Sequence, residues 1–450
     1  MPQRIRESLA ILLITILPLH ALLVTVLTKA IAGAGHAPLP VLAVWKEGLL
    51  GIILLLAAYE VFRSRDAASR LRVDLIDALI AALILLSIIV TIFTHGDLKL
   101  YLFGFKYDFV PLIAFMILRR VNWSADFQEQ AFKVLLAIGG VVAAYGILTF
   151  FLPQQFFTAL GYSDLHSLYL PDSPLAAFQQ IGGSGLRRVQ STMSGPNQLG
   201  LWLLLPWTLG LLKVLKGKQL FQWIAYFGII DFALFLTFSR SAWIAACVII
   251  IIALFRGDAD ATIRKAALWL LGIFGILLIV GGIFAPNIIL RIASSSDHLE
   301  RPFIAIATIL EKPLGWGMGL AGPASNRVSD ACVYLPRGAD ASWAADRPNL
   351  CVFVGNAQIQ PVDRACECPF LPENWYLQIG VELGILGFVL FVTLIVLILR
   401  RVFKTSGELD QIIAFGFLGV SIAALFLHAW EDAAVSLTLW ALLSSAAASK

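Results

Sequence analysis

Apolar runs of about 20 residues, the length that crosses a bilayer, recur along this chain, and arginine and lysine gather in the short stretches between them. A soluble core cannot enclose that many such runs. Of the 450 residues 59% are hydrophobic and 14% charged, and mean hydropathy is +0.85; soluble domains carry about 25% charged residues. The sequence predicts an all-α polytopic membrane protein of about twelve spans, near 8–28, 42–62, 74–94, 100–118, 130–152, 197–214, 220–238, 240–256, 265–285, 376–399, 411–428 and 431–447. The first run is longer than the apolar core of a signal peptide and reads as an uncleaved anchor, with small residues near Ala32–Ala34 leaving cleavage open.

Orientation follows from where the cations fall. Arg4 and Arg6 put the N-terminus in the cytoplasm. Counting spans, the loop bearing Arg63, Arg65, Arg70 and Arg72 is then cytoplasmic, as are Arg119/Arg120, Lys213/Lys216/Lys218, Arg256/Arg264/Lys265 and Arg400/Arg401/Lys404, and Lys450 returns inside. The chain divides into spans 1–5 (1–152), an exterior segment (153–196), spans 6–9 (197–285), a large exterior loop between the ninth and tenth spans (286–374), and spans 10–12 (375–450). The net charge of +4 comes without a basic run, so no nucleic-acid partner is expected.

Cys247 lies in a span, whereas Cys332, Cys351, Cys366 and Cys368 share the large loop. An even number in an oxidising compartment predicts two disulfides. A Cys366–Cys368 bridge is disfavoured as strained, which leaves two connectivities open. Zinc is the rival, but the spacings make no paired CxxC units and no histidine lies from Arg301 to Asn374. No metal or cofactor is expected.

Exterior loops normally have few cations, so Arg187, Arg188, Arg240, Arg291 and Arg301 need another explanation. Arg188 precedes Gly195-Pro196-Asn197, where Asn197 is placed to cap a helix whose N-terminus favours anions. Arg240 stands between two apolar runs, where facing lipid is costly and a guanidinium suits phosphate oxygens. Gly317-x-Gly319-x-x-Gly322 matches a nucleotide-binding pattern by letters, but lacks a strand-to-helix setting and reads as a turn for close backbone approach. Asn122-Trp123-Ser124 is a glycosylation triplet on the cytoplasmic side and reads as accidental. Glu373 and Asn374 open the tenth span; Glu382 lies two turns in and needs a polar partner. His428-Ala429-Trp430-Glu431-Asp432 bends the chain on the exterior side, as a capped turn or as the lining of the same cavity.

Taken in order, these pieces resemble the O-antigen ligase/polymerase superfamily of bacterial membrane glycosyltransferases. The likeness covers mainly Arg188–Arg401: Arg188 with Gly195-Pro196-Asn197-x-x-Gly200, Ser239-Arg240, Arg301 with Pro313-Leu-Gly-Trp-Gly-Met-Gly319, and Glu373-Asn374-Trp-Tyr-Leu-Gln378 with Glu382-Leu-Gly384. The resemblance implies transfer of glycan from a polyprenyl-diphosphate carrier to a glycan or lipid acceptor on the periplasmic face of the inner membrane. Arg188 and Arg240, with Arg301, would meet the diphosphate. Ligases carry histidine where Glu373 stands, so the polymerase branch fits better; ligation to lipid A core or to protein is the alternative.

The chemistry is coherent on the residues alone. A leaving diphosphate needs positive charge, no aspartate-rich metal motif is present, and Glu373 at the membrane boundary would serve as the base. Asn197, Asn374, Glu382, His428 and Glu431 would support the site. Lys46, Lys106 and Asp231 within spans keep a transporter or flippase of an anionic solute or lipid open as a different class. A scaffold of the envelope polysaccharide machinery is a third reading.

Overall fold

The computed structural model describes the chain except residues 1, 65–71, 164–173, 177–180, 182–185, 218, 257–259, 290–291, 336 and 448–450, and gives only the backbone of 292–298. Arg65, Arg70, Lys218, Arg291 and Lys450 therefore lie outside the described residues.

Every expected span coincides with a helix or a pair of helices. Among the described residues, six helices are long and apolar enough to cross a membrane: Pro2–Ala32, Leu75–Phe93, Ala125–Phe151, Pro196–Leu215, Ala261–Phe284 and Trp375–Val402. Leu98–Asp108 and Val110–Leu118, bent by 45° at Phe109, make a seventh if taken as one span. The other expected spans are shorter or more polar helices. Trp45–Arg63 carries Lys46, Glu47, Glu60 and Arg63. Arg240–Phe255 and Glu408–Ala423 have 16 residues each, about 24 Å of helix against a hydrocarbon thickness of about 30 Å. Helix starts follow local chemistry: Asp74 and Asp77 form a reciprocal capping box, and Ser124 accepts from Phe127 N–H.

Pro196–Leu215 is the buried centre of the bundle. It packs against Leu220–Leu236, Glu408–Ala423, Arg240–Phe255, Ala125–Phe151 and Ala433–Ala446. Small residues allow the close crossings: Gly139 lies against Pro206, Gly416 against Leu205 and Gly419 against Ile249. Ala261–Phe284, by contrast, buries no side chain and presents Trp269, Ile276 and Phe284 outward.

Charges group at two opposite ends. At the end the sequence places inside, Asp74 joins Arg119 at 2.6 Å and Arg401 at 2.7 Å, Arg6 joins Glu60 at 3.1 Å, and Lys213 and Lys216 flank Glu408 at 2.8 and 3.0 Å. Burial raises the Asp74 carboxyl, but Arg119, the Asp77 N–H and Arg401 together outweigh it and hold it below the carboxylate range. Ser124 donates to Glu7, so its end of the glycosylation triplet is committed to helix packing.

The expected all-α class needs one correction, in the large loop. Helix Ile292–Glu311 occupies its start, burying Ala305 and Ile309 beside Val381. Three strands follow: β1 (Cys332–Leu335), β2 (Cys351–Val354) and β3 (Ala357–Gln360). β1 runs parallel to β2, with Cys332 opposite Cys351, and β2 is antiparallel to β3. Ala344, Leu350 and Val352 form a core too small to hold the segment alone. Two disulfides, Cys332–Cys368 and Cys351–Cys366, close it. This is one of the two connectivities that the sequence leaves open.

Candidate functional site

Helix Trp375–Val402 is broken at Gly384, whose φ of 72° takes the left-handed region open to glycine. A Cβ there would collide with Pro313 O. The break frees backbone groups, and the glycine turn uses them. Trp316 N–H donates to Val381 O at 2.9 Å, Gly317 N–H to Glu382 O at 3.1 Å, and Ile385 N–H to Pro313 O at 3.0 Å. Two more amides, of Gly319 and Ala321, reach Glu382 Oε1 at 3.0 and 3.4 Å. The turn's amides thus bind the helix, which agrees with reading the glycine pattern as a close-approach turn.

Glu382 is fully buried, and its carboxyl faces that of Asp108, which is 4% exposed. Gln378 Nε2 donates to Asp108 Oδ1 at 3.2 Å, and Gln378 Oε1 lies 2.9 Å from His428 Nδ1. His428 therefore connects through Gln378 and Asp108 to the carboxyl expected to need a partner. Asp108 was missed by the sequence reading, although an acidic residue inside an apolar run is the same signal that singled out Asp231.

Glu373 precedes this helix with φ 54°, a left-handed conformation that strains a residue with a Cβ by about 1–3 kcal/mol. It is half-buried and accepts from Arg301 Nη1 at 3.2 Å. Asn374 is the cap: its Oδ1 accepts from Leu377 N–H at 3.0 Å and its Nδ2 donates to Leu425 O at 2.9 Å. Trp375 N–H donates to Ala424 O at 2.9 Å, so the corner after Glu408–Ala423 hangs on the start of this helix.

That corner carries Glu431 and Asp432. Asp432 caps Ala433–Ala446 by accepting from Ala434 N–H at 2.8 Å, as a capped turn requires. It also accepts from Ser194 Oγ at 2.6 Å. Loss of water pushes the half-buried Glu431 carboxyl up to about 7; Asp432 and Glu373 add to the rise and Arg327 opposes it. Arg327 itself donates to Tyr107 Oη at 3.3 Å.

Arg188 is buried. Its Nε donates to Thr237 O at 2.9 Å and its Nη2 to Asn197 Oδ1 at 2.7 Å. It thereby holds the break between Leu220–Leu236 and Arg240–Phe255. Asn197 is not the expected cap: Gly195 occupies that position, and the Asn197 side chain serves Arg188 instead. Arg240 begins its helix, half-buried.

The expected transporter charges find local partners. Lys106 joins Glu47 at 2.7 Å and Lys46 joins it at 3.5 Å, while Asp231 accepts from Trp207 Nε1 at 2.8 Å. Asp330 lies beside Cys351 and Cys366, but both sulfurs are in one disulfide and its oxygens accept from Arg364 at 2.6 and 2.9 Å. The Arg364 guanidinium holds the Asp330 carboxyl below its usual value.

The apolar helices point to a membrane protein with a disulfide-closed segment. No protein-family model matches the chain, and no curated protein matches it.

Proposed function

We propose that this protein is a membrane glycosyltransferase that moves glycan from a polyprenyl-diphosphate carrier to an acceptor hydroxyl, most simply as a polysaccharide polymerase of a bacterial inner membrane. The chain would cross the membrane about twelve times, with both termini in the cytoplasm and the site on the exterior face. The grouping of the ion pairs at opposite ends supports this arrangement.

The observation that carries the reading is the Ser194–Asp432 hydrogen bond at 2.6 Å. It ties the segment that follows Arg188 to the corner that bears Glu431, at the end where Arg301 meets Glu373. Cations and carboxylates are thus offered from one end of the bundle. In the transfer, the acceptor oxygen bonds to the anomeric carbon as the bond from that carbon to the diphosphate oxygen breaks. Arg240, set by the Arg188-held break, stabilises the departing diphosphate together with Arg301. The acceptor proton passes to the carboxylate cluster of Glu373 and Glu431. Inversion at the sugar carbon follows from direct displacement.

Lys46 and Lys106 pair with Glu47 within the bundle. Purified protein incubated with a polyprenyl-diphosphate oligosaccharide is expected to give elongated lipid-linked product. Arg240→Ala should lower the rate by about 100-fold or more, the scale of removing a transition-state donor. Product transferred to lipid A core, with no elongation, would assign ligation instead. Failure of the wild-type protein with a range of donors and acceptors would refute glycosyl transfer.

A further inference from the structure

Three carboxylates, Glu373, Glu431 and Asp432, lie near one another at the end of the bundle where Arg301 meets Glu373, and two of them have hydrogen-bond partners. Asp432 accepts from Ala434 N–H and Ser194 Oγ. Glu373 accepts from Arg301. Among the described residues, the Glu431 side chain takes no hydrogen bond and no ion pair, and it is half-buried rather than lost in the core. Its backbone is held: Glu431 N–H donates to His428 O at 3.3 Å, with His428 anchored on Gln378 and the next residue capping a helix.

We propose that Glu431 is the catalytic base that takes the acceptor proton, and that Glu373, paired with Arg301, acts on it as a fixed neighbouring charge. This rests on the glycosyl-transfer reading and deepens it. A base must present an unoccupied oxygen to the acceptor hydroxyl, and its proton affinity must suit the working pH. Glu431 meets the first condition by geometry. Its surroundings serve the second: Asp432 adjoins it, with Lys46 close to Asp432, while Glu373 faces it from the start of the tenth expected span and Arg327 from the large loop. Scarce water and two carboxylates raise its proton affinity, and one guanidinium, steadied by Tyr107, limits the rise. In the step, the acceptor O–H proton goes to a Glu431 oxygen, the acceptor oxygen bonds to the sugar, and the diphosphate leaves with the electron pair of the broken bond.

The test is the transfer rate of the purified full-length protein as a function of pH, with polyprenyl-diphosphate oligosaccharide as donor. Because the base works unprotonated, the wild-type rate should rise with pH through about 7 and then level. Glu431→Gln should lower it by about 100-fold or more at every pH, while retaining donor binding and a wild-type elution profile. Glu373→Gln removes a like charge and should move the rising limb to lower pH; Arg327→Gln removes the opposing charge and should move it to higher pH. A merely structural role for Glu373 or Arg327 would change the rate without moving the limb. Transfer by Glu431→Gln at the wild-type rate and pH profile overturns this assignment while leaving glycosyl transfer in place. So does a limb that stays fixed in both neighbours' variants. A wild-type protein that makes no product overturns the transfer reading and this assignment together.

Discussion

Glu382 shows how one side chain can join two distant segments. Its Oε1 satisfies amides of the glycine turn while its carboxyl faces Asp108 in an interior without exposed surface. Glu382 Oε2 and Asp108 Oδ2 are buried without a hydrogen-bond partner among the described residues. Glu382→Gln keeps the acceptor oxygen and supplies a donor, so stability should change little. Glu382→Ala leaves two buried amides without acceptors and should cost about 1–3 kcal/mol. Thermal unfolding in detergent separates the two, and equal losses would deny Glu382 this role. The sequence marked Glu382 as needing a partner because it interrupts an apolar run. It could not name Asp108, which lies far away in the chain and meets it only after the bundle closes.

Among the elements, the large loop is where sequence and structure differ most. Read as polar connection, it holds a 20-residue helix and a three-stranded sheet. The helix was legible in principle, since Ala305 and Ile309 stand four apart and both are buried. Strands of four residues carry too little alternation to be read. Their pairing, Cys332 opposite Cys351, is set by chain that returns from elsewhere. The four cysteines, in contrast, were informative at once, because an even set in one loop implies closure. Removing both bridges by Cys→Ser changes should cost this segment about 2–5 kcal/mol. Limited proteolysis should then cut between Asp330 and Pro369 in the variant and spare the wild type; equal cleavage would show that the sheet holds without them.

Across the whole molecule, ion pairs sort the helix ends into two groups, Asp74–Arg119–Arg401 with Lys213–Glu408 at one and Arg301–Glu373 at the other. If the positive-inside reading is right, a cysteine placed at exposed Asp346 in a Cys247→Ser background should react with a membrane-impermeant maleimide on intact cells. One placed at exposed Lys404 should react only after lysis. The opposite pattern would invert the protein.

Sequence alone determined that this chain is built of apolar helices, where the long apolar ones lie, and which loop is closed by disulfides, because hydrophobic period, run length and cysteine number are local properties; the helix Ile292–Glu311 in the large loop escaped it. Tertiary structure decided what each polar residue touches. It turned Asn197 from an expected cap into a partner of Arg188, set Gln378 between His428 and Asp108, and, among the described residues, left the Glu431 side chain without a hydrogen bond beside an occupied Glu373. These are distances between segments far apart in the chain, and packing, not the pattern of residues, sets them.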